Sequence, residues 1–247
     1  MVIKSLPKNT GTVIVKHANP CGVSIKKSHL ESYKSALECD PVSAFGGIVS
    51  CNFKITKLLA LELNKLFLEV IIADSFDTNA LKILKKKKNL RLIDASNYKV
   101  DDGLKHVSIN NEILIQSEDL KKFTTKDFKI VSKRKPSTKE MKNLIFAFNV
   151  CRYVKSSAIV LATNETTAGI GSGQPSRLDS CKIAINKMKK FTNINHNLVA
   201  ASDAFFPFVD GIEKLIQSGV QAVIQPSGSI RDKEIIKFAN ETNTVLV

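Results

Sequence analysis

A chain of 247 residues with 43% apolar content is long enough to bury a large core in one or two domains. No apolar run approaches the roughly 18 residues of a membrane span, and the N-terminus has no apolar signal region, so a cytoplasmic protein with no membrane partner is expected. A formal charge of +14 would suit a nucleic-acid binder, but outside Lys85–Lys88 the lysines are scattered, and no nucleic-acid motif or aromatic platform accompanies them. No nucleic-acid partner is expected.

After a polar lead-in, residues 13–16 read as a strand that runs into the turn Lys16-His17-Ala18-Asn19-Pro20-Cys21-Gly22. Ligands of open α/β sheets lie at the carboxyl ends of strands, which makes Lys16, His17 and Asn19 candidate site residues. A helix over 30–39 follows, with Leu30, Tyr33, Ala36 and Leu37 on one face, stopped by Asp40-Pro41. The next strand, 44–51, is entered through Gly46-Gly47, where missing side chains permit either a β-bulge or a close backbone approach to a ligand. Thr56 is expected to cap a helix to Leu68, residues 70–73 a short strand, and Asp77 to cap a helix to Asn89 whose last turn holds Lys85–Lys88. Residues 90–93 form the next strand, and 97–111 read as a patternless surface excursion.

Residues 112–116 and 128–131 are strand candidates, and Ser137-x-x-Glu140 is a capping-box signature that opens a new unit. Met141, Leu144, Ile145 and Phe148 then mark one face of a helix, followed by a strand over 158–162. The glycine-rich 169–174 has neither Rossmann nor P-loop spacing. A helix from about Ser180, a strand at 198–201, a Phe-rich turn, a helix to Gly219, a strand at 222–225 and a helix over 230–242 complete the chain. Alternating strands and helices predict an α/β fold with mostly parallel sheets flanked by helices, in two similar units over 1–125 and 126–247. The five cysteines are odd in number and contain no Cys-x-x-Cys pair, so free thiols are expected, with Cys21 in a packing role.

Five stretches carry a resemblance. They are Val-Ile-Val-Lys-His-Ala-Asn-Pro-Cys-Gly (13–22), Asp-Pro-Val-Ser-Ala-Phe-Gly-Gly (40–47), Gly-Ile-Gly-Ser-Gly-Gln-Pro-Ser-Arg (169–177), Ser-Asp-Ala-Phe-Phe-Pro-Phe-Val-Asp-Gly (202–211) and Gln-Pro-Ser-Gly-Ser-Ile-Arg-Asp (225–232). In this order and at these separations they resemble the AICAR transformylase domain of the bifunctional AICAR transformylase/IMP cyclohydrolase family. The resemblance runs from about Thr12 to the C-terminus, weakest over 97–135. It implies two tandem cytidine-deaminase-like α/β/α units and a homodimer that completes the active sites. Zinc-dependent deamination on that fold needs H-x-E and P-C-x-x-C, whereas His17 is followed by Ala18-Asn19 and Pro20-Cys21 has no second cysteine, so no zinc is expected.

The reaction implied is formyl transfer from 10-formyltetrahydrofolate, as cosubstrate, to the amine of AICAR. That amine is a poor nucleophile, so a proton must be removed and the oxyanion at the formyl carbon stabilised. The family's Lys-His pair falls on Lys16 and His17, its ligand-facing glycine on Gly46, and its acidic base contact on Glu69. Arg177 matches an arginine on the anionic substrate, and Phe205, Pro207 and Asp210 match the folate and formyl-transfer site, with Ser229 on the folate side. Apart from the resemblance, Phe205, Phe206 and Phe208 would read as core and Asp210 as a helix cap. Asp203 corresponds to a position that helps hold a monovalent cation in some relatives.

Three departures are visible. Ser156-Ser157 stands where the family has Ser-Asn, so Ser157 replaces the catalytic asparagine with a shorter hydroxyl. The stretch also begins after the family's Arg-Tyr-Gly-Glu-Asn-Pro-His-Gln segment and cyclohydrolase domain, and ends before its terminal Arg-His-Phe-x-His. From this, missing segments are expected to come from a separate chain, or the protein to be a catalytically impaired, ligand-binding remnant.

Overall fold

Thr12, Val13, Ile14 and Val15 form a continuous β-branched run that suits a strand covered on both faces. The chain opens with helix α1 (Val2–Ser5), strands β1 (Gly11–Lys16) and β2 (Asn19–Ile25), helix α2 (His29–Glu38) and β3 (Gly47–Ile55). Helix α3 (Lys57–Leu63), β4 (Leu68–Phe76), α4 (Thr78–Leu84) and β5 (Arg91–Asp94) complete the first half. A separate hairpin, β6 (Leu104–Ile109) and β7 (Glu112–Ser117), lies between the halves in sequence. The second half contains α5 (Thr138–Cys151), β8 (Ile159–Thr163), β9 (Thr166–Gly171), α6 (Arg177–Phe191) and β10 (Leu198–Ser202), then α7 (Val209–Gln217), β11 (Val220–Ile224), α8 (Asp232–Glu241) and β12 (Val245–Leu246). The computed structural model describes residues 2–98, 104–119, 121–192, 194 and 197–247.

Ten strands form one sheet in the order β12-β11-β10-β8-β9-β2-β1-β3-β4-β5. Each half contributes a hairpin whose first strand pairs antiparallel with the third, followed by two parallel pairings. Four of the five strands in each half therefore point the same way, and β1 and β8 alone oppose their neighbours. Both hairpins turn on two left-handed residues, His17 and Ala18 (φ 51° and 58°) and Asn164 and Glu165 (φ 49° and 52°), the conformation whose twist suits a tight hairpin. The halves join antiparallel through β2 and β9, pairing Ser24 with Thr166. One edge of the sheet consequently gathers the carboxyl ends of β9–β12 and the amino ends of β2–β5.

Helices α2, α3 and α4 pack a core over one face of the first half, around Tyr33, Phe53, Leu59 and Ile71. In the second half α6, α7 and α8 cover one face, while α5 covers the other, where Leu144 and Val150 meet Val160 and Val199. The glycines of β9 serve this packing: a Cβ on Gly169 would lie 2.2 Å from the Ala184 carbonyl oxygen, and one on Gly171 1.9 Å from that of Ser180. The first three residues of the glycine-rich stretch, 169–171, are thus strand, with the two glycines kept bare so that α6 can approach.

Several expected elements differ. The helix after Thr56 ends at Leu63, and Leu68 instead begins β4, paired with Gly47. Thr56 makes no side-chain cap; Asp77 takes both the Lys57 N–H (3.0 Å) and the Ala80 N–H (2.5 Å), serving two helices at once. Helix α4 ends at Leu84, so the lysine run lies beyond it, and Lys87 Nζ donates to the carbonyls of Asn64 (2.5 Å) and Leu66 (2.8 Å) in the α3–β4 turn. Residues 128–131 form no strand: the N–H groups of Val131 and Ser132 both go to the Leu246 carbonyl, one acceptor that cannot seed a ladder. Within the expected surface excursion, residues 104–109 pair with β7, and 99–103 lie outside the described residues. The Ser137–Glu140 capping box is present at the start of α5.

Candidate active site

Strand β1 delivers Lys16 to the shared edge of the sheet. Lys16 ends β1, as expected, and because β1 opposes its neighbours this edge holds the amino ends of the first half's other strands beside the carboxyl ends of β9–β12. Lys16 Nζ donates to the carbonyls of Phe45 (3.0 Å) and Gly46 (2.8 Å). An ammonium has three donors, so two aim the group and the third is left for a ligand. Gly46 is required twice over: its φ is +66°, and a Cβ there would stand 2.8 Å from Lys16 Nζ. Its N–H is held by the Phe67 carbonyl at 2.8 Å. Exposed Phe45 and Phe67 pack with ring centroids 5.2 Å apart, an apolar surface next to the amino group, and exposed Glu69 follows at the start of β4. His17 is exposed in the adjoining turn.

The second group sits at the carboxyl ends of β10 and β11. Arg177 opens α6 and directs Nη1 to the Ser202 hydroxyl (2.7 Å) and the Asp203 carboxylate (2.5 Å). Asp203 also accepts the Ala158 N–H at 2.9 Å and the Ser156 hydroxyl. Burial pushes the Asp203 carboxyl up, but the hydrogen bonds from Ser156, Arg177 and Ala158 and the Arg177 charge prevail and hold it below the usual carboxylate range. A carboxylate already facing a guanidinium is a poor monovalent-cation ligand, so the residues do not fit the cation expected at Asp203. Among the described residues no group of three or more His, Cys, Asp or Glu is placed to hold a metal ion.

Ser157 lies beside this group, with its N–H on the Gln174 carbonyl (3.1 Å) and its carbonyl on the Ser180 hydroxyl (2.8 Å). Only Phe206 of the three phenylalanines is core, at 1% exposure; Phe205 and Phe208 face solvent with Pro207, and the Arg231 guanidinium lies 4.9 Å from the Phe208 ring centroid. Asp210 is not the cap of α7, a place taken by Phe208; it is exposed in the first helical turn with Oδ1 on the Gly211 N–H at 2.7 Å. Ser229 lies in a loop organised by Asp232, which accepts the N–H groups of Gly228 (2.8 Å) and Ser229 (3.2 Å), while the Ser229 hydroxyl accepts the Arg231 N–H.

Asn19 lies between the groups. Its Nδ2 donates to the Ser172 hydroxyl (2.7 Å) and its Oδ1 accepts the Lys155 N–H (3.0 Å), so both ends of the carboxamide join the halves. All the expected residues share one sheet edge, but they fall into two groups. From β1 to β8 is three strand intervals, roughly 14 Å, and from β1 to β10 is four, roughly 19 Å. Among the described residues no hydrogen bond or ion pair is seen between Lys16 and Ser157 or Arg177. Cys21 is no nucleophile: burial first, then the Asp40 charge, pushes its thiol up to about 12. Phe67 escaped the sequence reading, since it belongs to no chemically distinctive motif and meets Gly46 and Phe45 only in the folded chain.

A family model described as AICARFT/IMPCHase bienzyme matches residues 1–187. The bifunctional purine biosynthesis protein PurH of Buchnera aphidicola subsp. Schizaphis graminum is 47% identical, over 99% of this chain and 47% of its own length. The proteins of the same name from Aquifex aeolicus and Persephonella marina are each 45% identical, over 100% and 96% of this chain and 48% and 46% of their own lengths. The chain thus spans about half the length of these relatives. With 187 of 247 residues inside the family model and this similarity along the whole chain, the protein belongs to the AICARFT/IMPCHase bienzyme family.

Proposed function

We propose that this chain carries the formyl-transfer activity of the bienzyme, in purine biosynthesis, and not its cyclohydrolase activity. The observation that supports it most is Lys16, whose amino group is held by the Phe45 and Gly46 carbonyls beside an exposed aromatic pair, one residue before the exposed His17. In this reading the AICAR amine attacks the formyl carbon of 10-formyltetrahydrofolate. His17 takes the amine proton, Lys16 stabilises the oxyanion, and collapse breaks the bond to the folate nitrogen, which leaves protonated as tetrahydrofolate. Phe205, Phe208 and Pro207 offer planar apolar surface to the pterin, Ser229 and Asp210 lie along the same stretch, and Glu69 and Gly46 adjoin the base.

Since the two groups stand roughly 14–19 Å apart along one edge, the reading includes a homodimer in which a second copy brings the complementary group to each site. The tandem units, cytidine-deaminase-like and divided near residue 125, belong to the same proposal, supported by the repeated strand order. A ligand-binding protein with little turnover is the second reading, favoured by Ser157 in place of an asparagine and by an Arg177 already paired with Asp203.

The test is to supply the purified chain with AICAR and 10-formyltetrahydrofolate and follow tetrahydrofolate, and separately to supply FAICAR and follow IMP. Transfer without cyclisation, lost in Lys16→Ala and His17→Ala, is the expected result. Cyclisation alone would overturn the proposal; AICAR raising the melting temperature without turnover would establish the second reading.

A further inference from the structure

The hydrogen bonds across the seam between the halves come largely from side chains. Thr167 Oγ1 accepts the Val23 N–H at 2.9 Å, the Ser24 and Thr166 hydroxyls meet at 2.8 Å, and Asn19 bridges Ser172 and Lys155. One contact differs in kind. Lys187, on α6, donates at 2.6 Å to Asp40, whose side chain is 3% exposed just beyond the end of α2.

The remaining bonds of Asp40 shape the turn toward Lys16. Its carboxylate accepts the Ser43 N–H (3.0 Å) and hydroxyl (2.6 Å), and its carbonyl accepts the Ala44 N–H (3.2 Å). The Ala44 carbonyl then accepts the Gly47 N–H (3.0 Å), which closes the turn that presents the Phe45 and Gly46 carbonyls to Lys16. Burial pushes the Asp40 carboxyl up, but hydrogen bonds from Lys187 and Ser43 and the Lys187 charge keep it below the usual range, so it is ionised at neutral pH. Asp40 is buried whereas the Lys187 side chain stays 34% exposed, and breaking the pair would leave the buried Asp40 charge without its partner. Helix α6 also carries Arg177 in its first turn, so one rigid element reaches both groups of site residues.

We propose that Lys187 is a positioning residue for Lys16: through Asp40 and the turn at 40–47 it ties the amino group of the first half to the helix that carries Arg177, and so keeps the two groups in register. The kinetic part rests on the formyl-transfer reading; the coupling to Lys16 does not. The variants are Lys187→Met, Lys187→Arg, Lys16→Met and the double variant Lys187→Met/Lys16→Met, with Asp40→Asn cutting the same link should Lys187→Met fail to fold.

Carbon-13 NMR of labelled lysine, with Lys16 assigned from its absence in Lys16→Met, should show the Lys16 ε-carbon resonance displaced in Lys187→Met and restored in Lys187→Arg. For formyl transfer, Lys187→Met should lower kcat roughly 10-fold with KM for AICAR within about twofold, short of the ~10²-fold that an ångström-scale misplacement of a reacting group costs. Lys187→Arg should recover most of it, and the double variant should be no slower than Lys16→Met alone. An unmoved Lys16 resonance, or losses that multiply in the double variant, would overturn the proposal. A wild-type chain without transfer activity would instead remove the formyl-transfer reading, and the NMR comparison would still decide the coupling.

Discussion

In the second half of the sheet β8 and β10 are buried along their whole length, between α5 on one face and α6–α8 on the other. In the first half β3 alternates: Val49, Cys51, Phe53 and Ile55 are buried under the helices, whereas Ile48, Ser50 and Asn52 on the reverse face are only partly covered. The two halves share one strand order, so topology does not set this difference. What sets it is the second layer of helix, and the strand sequences follow: Ile159–Thr163 reads as a nearly continuous apolar run, while Gly47–Ile55 alternates. The half covered on both sides holds its site group through a partly buried ion pair at Arg177–Asp203, and the half covered on one side holds Lys16 by backbone carbonyls.

The largest expected effect tests whether the groups divide the chemistry. Lys16→Ala should lower formyl transfer by on the order of 10²–10³, the cost of one oriented donor at a developing oxyanion, with little change in urea unfolding. An equal loss of stability and activity would mean that Lys16 is a fold residue. Burial can be probed in the same way: Leu161→Ala, in a strand covered on both faces, should cost about 2–5 kcal/mol by urea denaturation, and Ile48→Ala, on the open face, clearly less. Equal costs would show that the open face is covered in solution.

Asp77→Ala removes the cap of α4 and the first-turn acceptor of α3 together, and should cost about 1–2 kcal/mol in the first half alone, read as loss of amide-exchange protection in both helices. The smallest effect is acid sensitivity. Asp40 and Asp203 are held below the ordinary value of 3.8, so each contributes stability that is full above that value and is lost as pH falls through the lower folded value. Wild type should therefore lose more stability below about pH 4 than Asp203→Asn does. A parallel pH dependence for the two would remove Asp203 from the explanation.

Several candidate residues stood out because they sit in chemically distinctive stretches: Lys16-His17 at the end of a β-branched run and Gly46 before a strand, whereas Arg177 came from the family resemblance, with its helix expected to start only near Ser180. The capping box at Ser137 was equally plain, since four residues contain the whole interaction. β2 and β12 were not, for Pro20, Cys21 and Gly22 are poor strand formers and become strand only between β1 and β9, while β12 is two residues beside β11. Phe205 and Phe206 are chemically identical neighbours, and only the fold puts one in solvent and the other in the core.

Local sequence by itself determined the Asp77 and Ser137 caps and most strands, because each depends on partners within a few positions. Tertiary structure alone decided that the halves meet antiparallel at β2 and β9, bringing the amino edge of one half and the carboxyl edge of the other into a single line. It also decided that Lys187 reaches Asp40 across 147 positions and that Lys16 and Arg177 stay apart. Those facts depend on strand order and helix packing between distant segments, which no window of sequence contains.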